Sequence, residues 1–367
     1  MQHEMQHESL MVFLFNCIAL LRFYMVLFSI LVKIERVIQM IFKNKHKKIL
    51  FCCILICLSF AAIFIINQEH NTNVITIDTQ NKITIADTNV KGLYVPTEIR
   101  KINNKYFIVD CFHNRIIYSN DVELDYDKWN VIDFPFTKPH SIAGDDDTYV
   151  AVDTDANSIV VFDKDLNVKQ RLYNVGSKPH HVIYYNSKFY VLMSTTNIEI
   201  CIYKKDESTG MIKLESRNKL DYINSTSDNA YVRSMSIIDG FLYLPCATNG
   251  HVYKVSMNDF SLVEDYTINT EYGGFNFITK IDSTWFITST GGTDYSHNPA
   301  LLRTTDLATK PTIDTSIEFS GTPYYIEYFD DKYWIPEIYY GNSVRSFKYI
   351  DNDIRNITKY EETNIKE

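Results

Sequence analysis

Lys138-Pro139-His140 and Lys178-Pro179-His180 stand 40 residues apart, and each leads an apolar run, a polar turn and a second apolar run. Imidazoles that recur at matched places are a chemical resource. Two His and a carboxylate make a competent Zn²⁺ set with a position left open for water, which the ion would activate as a nucleophile. Without a metal, the same groups offer a polar surface to a ligand. Other catalytic signatures are missing: there is no G-x-S-x-G elbow, no phosphate-binding Walker loop, no H-E-x-x-H and no paired C-x-x-C. What the two His can do depends on the elements that hold them.

The same template recurs on both sides of the pair. Pro96 leads "PTEIRKINNKYFIVD" and Pro139 leads "PHSIAGDDDTYVAVD", with Asp110 and Asp153 each fourteen residues after the proline. Pro179 leads "PHHVIYYNSKFYVLMS" and reaches Ser194, one residue later. Val232, Phe275 and Pro323 head three more copies, giving six units of roughly 40 to 47 residues over 96–362. Within a unit, a short apolar strand, a polar turn and a strongly apolar strand ("YFIV", "YVAV", "FYVL", "FLYLP", "WFIT", "YWIP") come first. A turn usually bearing Asn (Asn114, Asn157, Asn197, Asn249, Asn342), a third strand and a more polar fourth follow. Short β-prone runs split by Asn, Asp and Gly read as antiparallel meanders, and four strands at this period are the signature of a propeller blade.

"YFIVDCFHNRIIYS" and "YVAVDTDANSIVVFD" resemble the strand, Asp, Asn-turn, strand core of NHL repeats. More loosely, the chain is similar to six-bladed propellers of the lactonase and strictosidine-synthase-like kind. The resemblance covers most of 96–362 and is clearest in the first blades. It implies an all-β, six-bladed β-propeller with four-stranded antiparallel blades. Asn73 to Thr88 alternates like a hairpin and is expected to close the ring against the last blade; it is too short to be most of a seventh.

In a propeller the first strand of a blade begins at the face where the second ends, so each Lys-Pro-His marks the mouth of the central channel. The equivalent neighbourhoods offer Glu98, His140, His180, Arg233, Asn276 and Tyr324. The ends of the second strands add Asp110, Asp153, Ser194, Ser289 and Glu337. The resemblance implies a metal at this mouth, Ca²⁺ as in lactonases or Zn²⁺ as in peptide-amidating lyases. His140, His180 and Glu98 would then be ligands, and Asp153 or Glu337 a further carboxylate or base. Two features depart from that pattern. Only Asn276 supplies an Asn where lactonases use two, and Arg233 would repel a metal while welcoming a carboxylate or sugar acid. His181 is expected to face the blade interface as a packing residue. The long turn "STGGTDYSHNPALLR" of the fifth unit, with Tyr295 and His297, is the candidate lid over the mouth.

The N-terminus reads differently. Residues 49–66 run eighteen positions without a charge, behind Lys43, Lys45, Lys47 and Lys48, which predicts a signal-anchor with basic residues inside and the downstream chain outside the cytoplasm. Residues 10–32 are a weaker candidate first helix within the segment 1–48, and Met40 is an alternative start. Residues 67–95 are then a linker with the ring-closing strands, 96–362 the propeller and 363–367 a tail. Of 36 basic and 45 acidic residues, seven and three fall in 1–66, which leaves a net charge of −13 beyond it. That charge argues against nucleic acid as a partner. Only Cys111, Cys201 and Cys246 lie outside the apolar segments, so the domain is no disulfide scaffold. The sequence therefore reads as a membrane-anchored, extracytoplasmic propeller that binds a glycan, a peptide or an envelope protein through its channel mouth. The alternative is a Ca- or Zn-dependent hydrolase or lyase at the same mouth.

Overall fold

A computed structural model describes residues 91–360 apart from Thr196, 227–229 and Asn269. The expected membrane segments at 10–32 and 49–66, the ring-closing hairpin and the tail lie outside the described residues. Among those described, no helix is long and apolar enough to cross a membrane.

Six antiparallel sheets follow one another along the chain, each drawing all its strands from one continuous stretch. The described residues are almost entirely β, with a short helix at Asp221–Thr226 between the third and fourth blades. The inner strands are Pro96–Ile102, Pro139–Gly144, Pro179–Tyr185, Ser236–Ile238 and Phe275–Ile281, and in blade six a broken pair, Thr322–Pro323 and Glu327–Phe329. The second strands (Lys105–Asp110, Thr148–Asp153, Lys188–Met193, Phe241–Pro245, Thr284–Ser289, Lys332–Ile338) pair with them and are largely buried. Tight hairpins join the two wherever polar residues accept positive φ: Asn186-Ser187 at 48° and 60°, Asp239-Gly240 at 50° and 78°, Asp330-Asp331 at 51° and 56°. Two left-handed residues in succession match the twist of the flanking strands, which is why Asn, Asp and Gly fill these turns.

The core is six apolar layers, one between each pair of neighbouring blades. Alternation along a second strand sends its side chains to two layers: Phe107 and Val109 pack against blade two, and Ile108 packs against blade six. The layer between blades six and one, with Trp334, Phe329, Ile99 and Trp129, is a full member of the set. Closure also uses the Asn turns. Asn114 Oδ1 accepts from Lys138 N at 2.9 Å, and Asn157 Oδ1 accepts from Lys178 N at 2.9 Å, each reaching into the next blade. Asn342 Oδ1 does the same to Val95 N at 3.0 Å, from the last blade to the first. All three Asn are left-handed, with φ between 38° and 53°. The ring among the described residues is thus held side by side rather than by a strand shared between its ends.

Candidate functional site

At the channel mouth the inner strands carry β-bulges. Pro139 pairs with Asp153 and Ser141 with Val152, so His140 is the extra residue; by the same skip His180 and Asn276 are extra in blades three and five. A bulge re-aims side chains at the rim of a sheet, and here it re-aims one residue in each of blades one, two, three and five. In blade one that residue is Thr97, because Pro96 pairs with Asp110 and Glu98 with Val109. Thr97 Oγ1 donates to His140 O at 2.8 Å. The expectation that Glu98 shares a layer with His140 and His180 is therefore corrected: it lies one step deeper, in register with Ser141 and His181.

The two mouth imidazoles are close, with ring centroids 4.1 Å apart. His180 is 1% exposed, and both its nitrogens are engaged. Nδ1 faces Arg233 O at 2.8 Å, so it donates, and Nε2 accepts from Tyr231 Oη at 3.0 Å. Burial holds His180 well below the ordinary imidazole range, with His140 and Arg233 adding repulsion. His140 donates from Nδ1 to Lys138 O at 3.0 Å, and burial pushes it down to about 4. Both rings are neutral at physiological pH. The one lone pair of His180 is taken by the Tyr231 phenol and Glu98 lies a layer deeper, so the His140, His180 and Glu98 set is not assembled around a Zn²⁺ or Ca²⁺ position.

Asp110, Asp153 and Glu337 are placed as clamps rather than ligands. Each accepts from the backbone two residues before an inner-strand proline: Tyr94 N at 2.7 Å, Thr137 N at 2.5 Å and Gly321 N at 3.0 Å. Each also pairs with an arginine of an outer strand, Arg115 at 2.8 Å, Arg171 at 3.0 Å and Arg345 respectively. Ser194 and Ser289 serve the same loops through Lys178 O and Tyr272 O. These residues fix the approach of the chain to the channel, and their charges are spent in doing so.

Arg233 is different. Its guanidinium donates to Asn276 Oδ1 at 2.5 Å and to Tyr295 Oη at 3.3 Å, and sits 4.9 Å from the centre of the Tyr231 ring. Among the described residues no carboxylate pairs with it. Tyr295 comes from the long fifth-blade turn, which folds back tightly: a Cβ on Gly291 (φ 90°) would lie 1.9 Å from His297 O, so only glycine fits there. His297 itself is exposed, its ring against Tyr272 at 5.1 Å. Tyr324 is buried and stacked on Tyr325. Exposed Tyr94, Tyr295, Tyr339 and Tyr340 stand on the loops of the same face.

Deeper in the channel lies a cluster that the sequence reading did not assemble. Arg100 pairs with Glu98 at 2.7 Å and Glu327 at 2.5 Å, and donates to Ile142 O at 2.9 Å and Val182 O at 3.1 Å. Burial opposes its charge, but Glu327 and Glu98 outweigh that and hold the guanidinium above its ordinary range. His181 belongs here too, which corrects the expectation that it faces the blade interface. With His180 bulged, the alternation slips by one and His181 also reaches the axis. Glu98, His181 and Glu327 offer ligand-type atoms within 4.8 Å of one another. Arg100 already supplies the cation between the two carboxylates. His181 Nδ1 accepts from Met235 N at 3.2 Å, so its Nε2 carries the ring proton and cannot also ligate. This group does not fit a metal either.

No protein-family model and no curated protein matches the sequence. Solved structures do. A streptogramin B lyase is similar at 14% identity over 76% of this chain and 86% of that one, with a TM-score of 0.53. Hydrazine synthase of Kuenenia stuttgartiensis is similar at 15% over 72% and 80%, with a TM-score of 0.52. A catalytically inactive histidine-to-alanine form of Staphylococcus aureus virginiamycin B lyase with quinupristin is similar at 17% over 80% and 89%, with a TM-score of 0.51. In fold, the described chain is a six-bladed β-propeller. At these identities the likeness concerns the scaffold, and function must be argued from the site. The propeller places a guanidinium that no carboxylate of the described residues pairs with against Tyr231 and Tyr295, close to two neutral imidazoles. Such a site can neutralise an anionic group and cover a flat ligand face. Tyr231 was the contributor that spacing alone did not select, while Tyr295 stands on the long turn expected over the mouth.

Proposed function

We propose that this protein is a binding propeller that captures a carboxylate-bearing ligand at its channel mouth, presented outside the cytoplasm on an anchor formed by residues 49–66. The observation that carries the reading is Arg233: a half-buried guanidinium, oriented by two neutral partners and a ring face, with no carboxylate of its own. A buried cation costs desolvation unless it is paired, so an incoming carboxylate gains a charge-assisted, bidentate contact in an otherwise acidic domain. Exposed Tyr94, Tyr295, Tyr339 and Tyr340 offer faces on which a sugar acid or an acidic peptide can lie. The metal-dependent hydrolase or lyase is not favoured by the same residues, since the His180 lone pair is taken by the Tyr231 phenol and Glu98 lies a layer deeper.

Isothermal titration of the full chain in nanodiscs with trigalacturonate and with triglutamate tests this. One of the two should bind, with affinity falling as salt rises, and Arg233→Gln should weaken it about tenfold or more. Absence of binding by both, or binding that Arg233→Gln leaves intact, would contradict the reading.

A further inference from the structure

The opposite end of the channel, where the inner strands run out into their first turns, encloses a cavity of about 720 Å³. All six blades line it, which places it on the propeller axis and separates it from the mouth by the packed His140, His180, Tyr324 and Tyr325 layer. Its floor is the Arg100, Glu327 and His181 group, and Tyr184, Phe277 and Tyr328 stand in its walls.

The chemistry of that floor is unlike that of the mouth. Arg100 and its two carboxylates neutralise each other in part, so they keep hydrogen-bonding capacity without presenting an open cation. Glu327 keeps 22% side-chain exposure. His181 is 1% exposed, and its Nε2–H has no acceptor within reach, because Glu98 Oε1 lies 3.8 Å away. A floor with a carboxylate that wants donors and an imidazole N–H that wants an acceptor suits a group that does both, and a hydroxyl does. An anion would meet Glu327 and the nearby Asp145 and Asp146, and a metal would meet Arg100. The walls add the other half of the pattern. Tyr328 is 58% exposed at the rim and packs against Tyr333 with ring centroids 4.7 Å apart, a flat apolar face beside polar groups.

We propose that this cavity is a second binding site, for a neutral polyhydroxylated ligand of about disaccharide size such as the end of an uncharged glycan. The volume is that of an ordinary small-ligand site. Ring hydroxyls would bond Glu327, Arg100 and His181, and the C–H face of the sugar would lie on Tyr328. The site is independent of Arg233, and its failure leaves the mouth reading untouched.

Saturation-transfer difference NMR on the full chain in nanodiscs, with cellobiose, maltose and N,N′-diacetylchitobiose at millimolar concentration, is the test. At least one disaccharide should receive transfer. Tyr328→Ala and Glu327→Gln should each weaken its binding about fivefold or more, and trigalacturonate should not displace it. Tyr328 is a rim residue, so its variant reports even where Glu327→Gln disturbs the fold. The proposal is overturned if none of the three sugars receives transfer, if both variants bind as the wild type does, or if trigalacturonate displaces the sugar, which would move the binding to the mouth.

Discussion

Two arginines stand on the propeller axis, and they are opposites. Arg100, 13% exposed in its side chain, meets two carboxylates and two carbonyls and thereby ties blades one, two, three and six together. Arg233 meets an amide oxygen, a phenol and a ring face. They lie at different depths in the channel, but it is their partners that set their roles apart. A guanidinium whose charge is met inside the protein is a structural tie, and one whose charge is left over is free to serve a ligand. The same test sorts the carboxylates. Asp110, Asp153 and Glu337 sit at the mouth by sequence position, yet each is bound to an arginine and a backbone N–H, so none has capacity to spare.

The sharpest way to break this contrast is to remove Arg100. Arg100→Met leaves Glu98 and Glu327 facing each other in the channel and should cost about 3–5 kcal/mol. All three tryptophans, Trp129, Trp285 and Trp334, lie in the propeller, so urea unfolding followed by their fluorescence reads it directly. A loss under about 1 kcal/mol would mean that Arg100 is no tie. A smaller effect comes from pH. His140 is held near 4 in the fold against 6.5 when unfolded, so the folded state binds fewer protons in between. The stability it confers is complete above pH 6.5 and drains away as pH falls toward 4, and the buried His180 and His181 act in the same direction. His140 alone should cost on the order of 3 kcal/mol by pH 4, and His140→Asn with His180→Asn should flatten the slope. An equally steep acid loss in that double variant would assign it to other groups. The smallest change expected is from Asn342→Ala, which strips Val95 N of its acceptor at the join between blades six and one and should cost about 1 kcal/mol. Asn114→Ala and Asn157→Ala should match it if closure uses the same bond as every other junction.

The repeat was legible because its signals are local. Alternation in "YFIV" and "YVAV", Asn and Asp at turns that need positive φ, and a proline before each of four inner strands all act within a few residues. The six-bladed, four-stranded plan follows from them, as does the placing of His140, His180, Arg233 and Asn276 on one face. What was not legible depends on register. Nothing in "VPTEIR" tells that Thr97 rather than Glu98 is the bulged residue, and that single offset decides which layer Glu98 joins. His181 was assigned to the blade interface by strict alternation, which the bulge at His180 breaks. Arg100 and Glu327 are 227 residues apart and meet only because blades one and six are neighbours in a closed ring. Pairings of that separation carry no sequence signature, and so the distinction between a satisfied and an unsatisfied arginine had to come from the structure.

The central claim is that Arg233 is not a structural tie. Urea unfolding of Arg233→Met beside the wild type, read by the same tryptophans, addresses it most directly. The account predicts a change within about 1 kcal/mol, and a gain is as acceptable as a loss, because the substitution removes a half-buried charge that no carboxylate offsets. A loss of about 3 kcal/mol or more, comparable to that of Arg100→Met, would show that the charge is already used within the fold and would contradict the assignment of the mouth to a ligand.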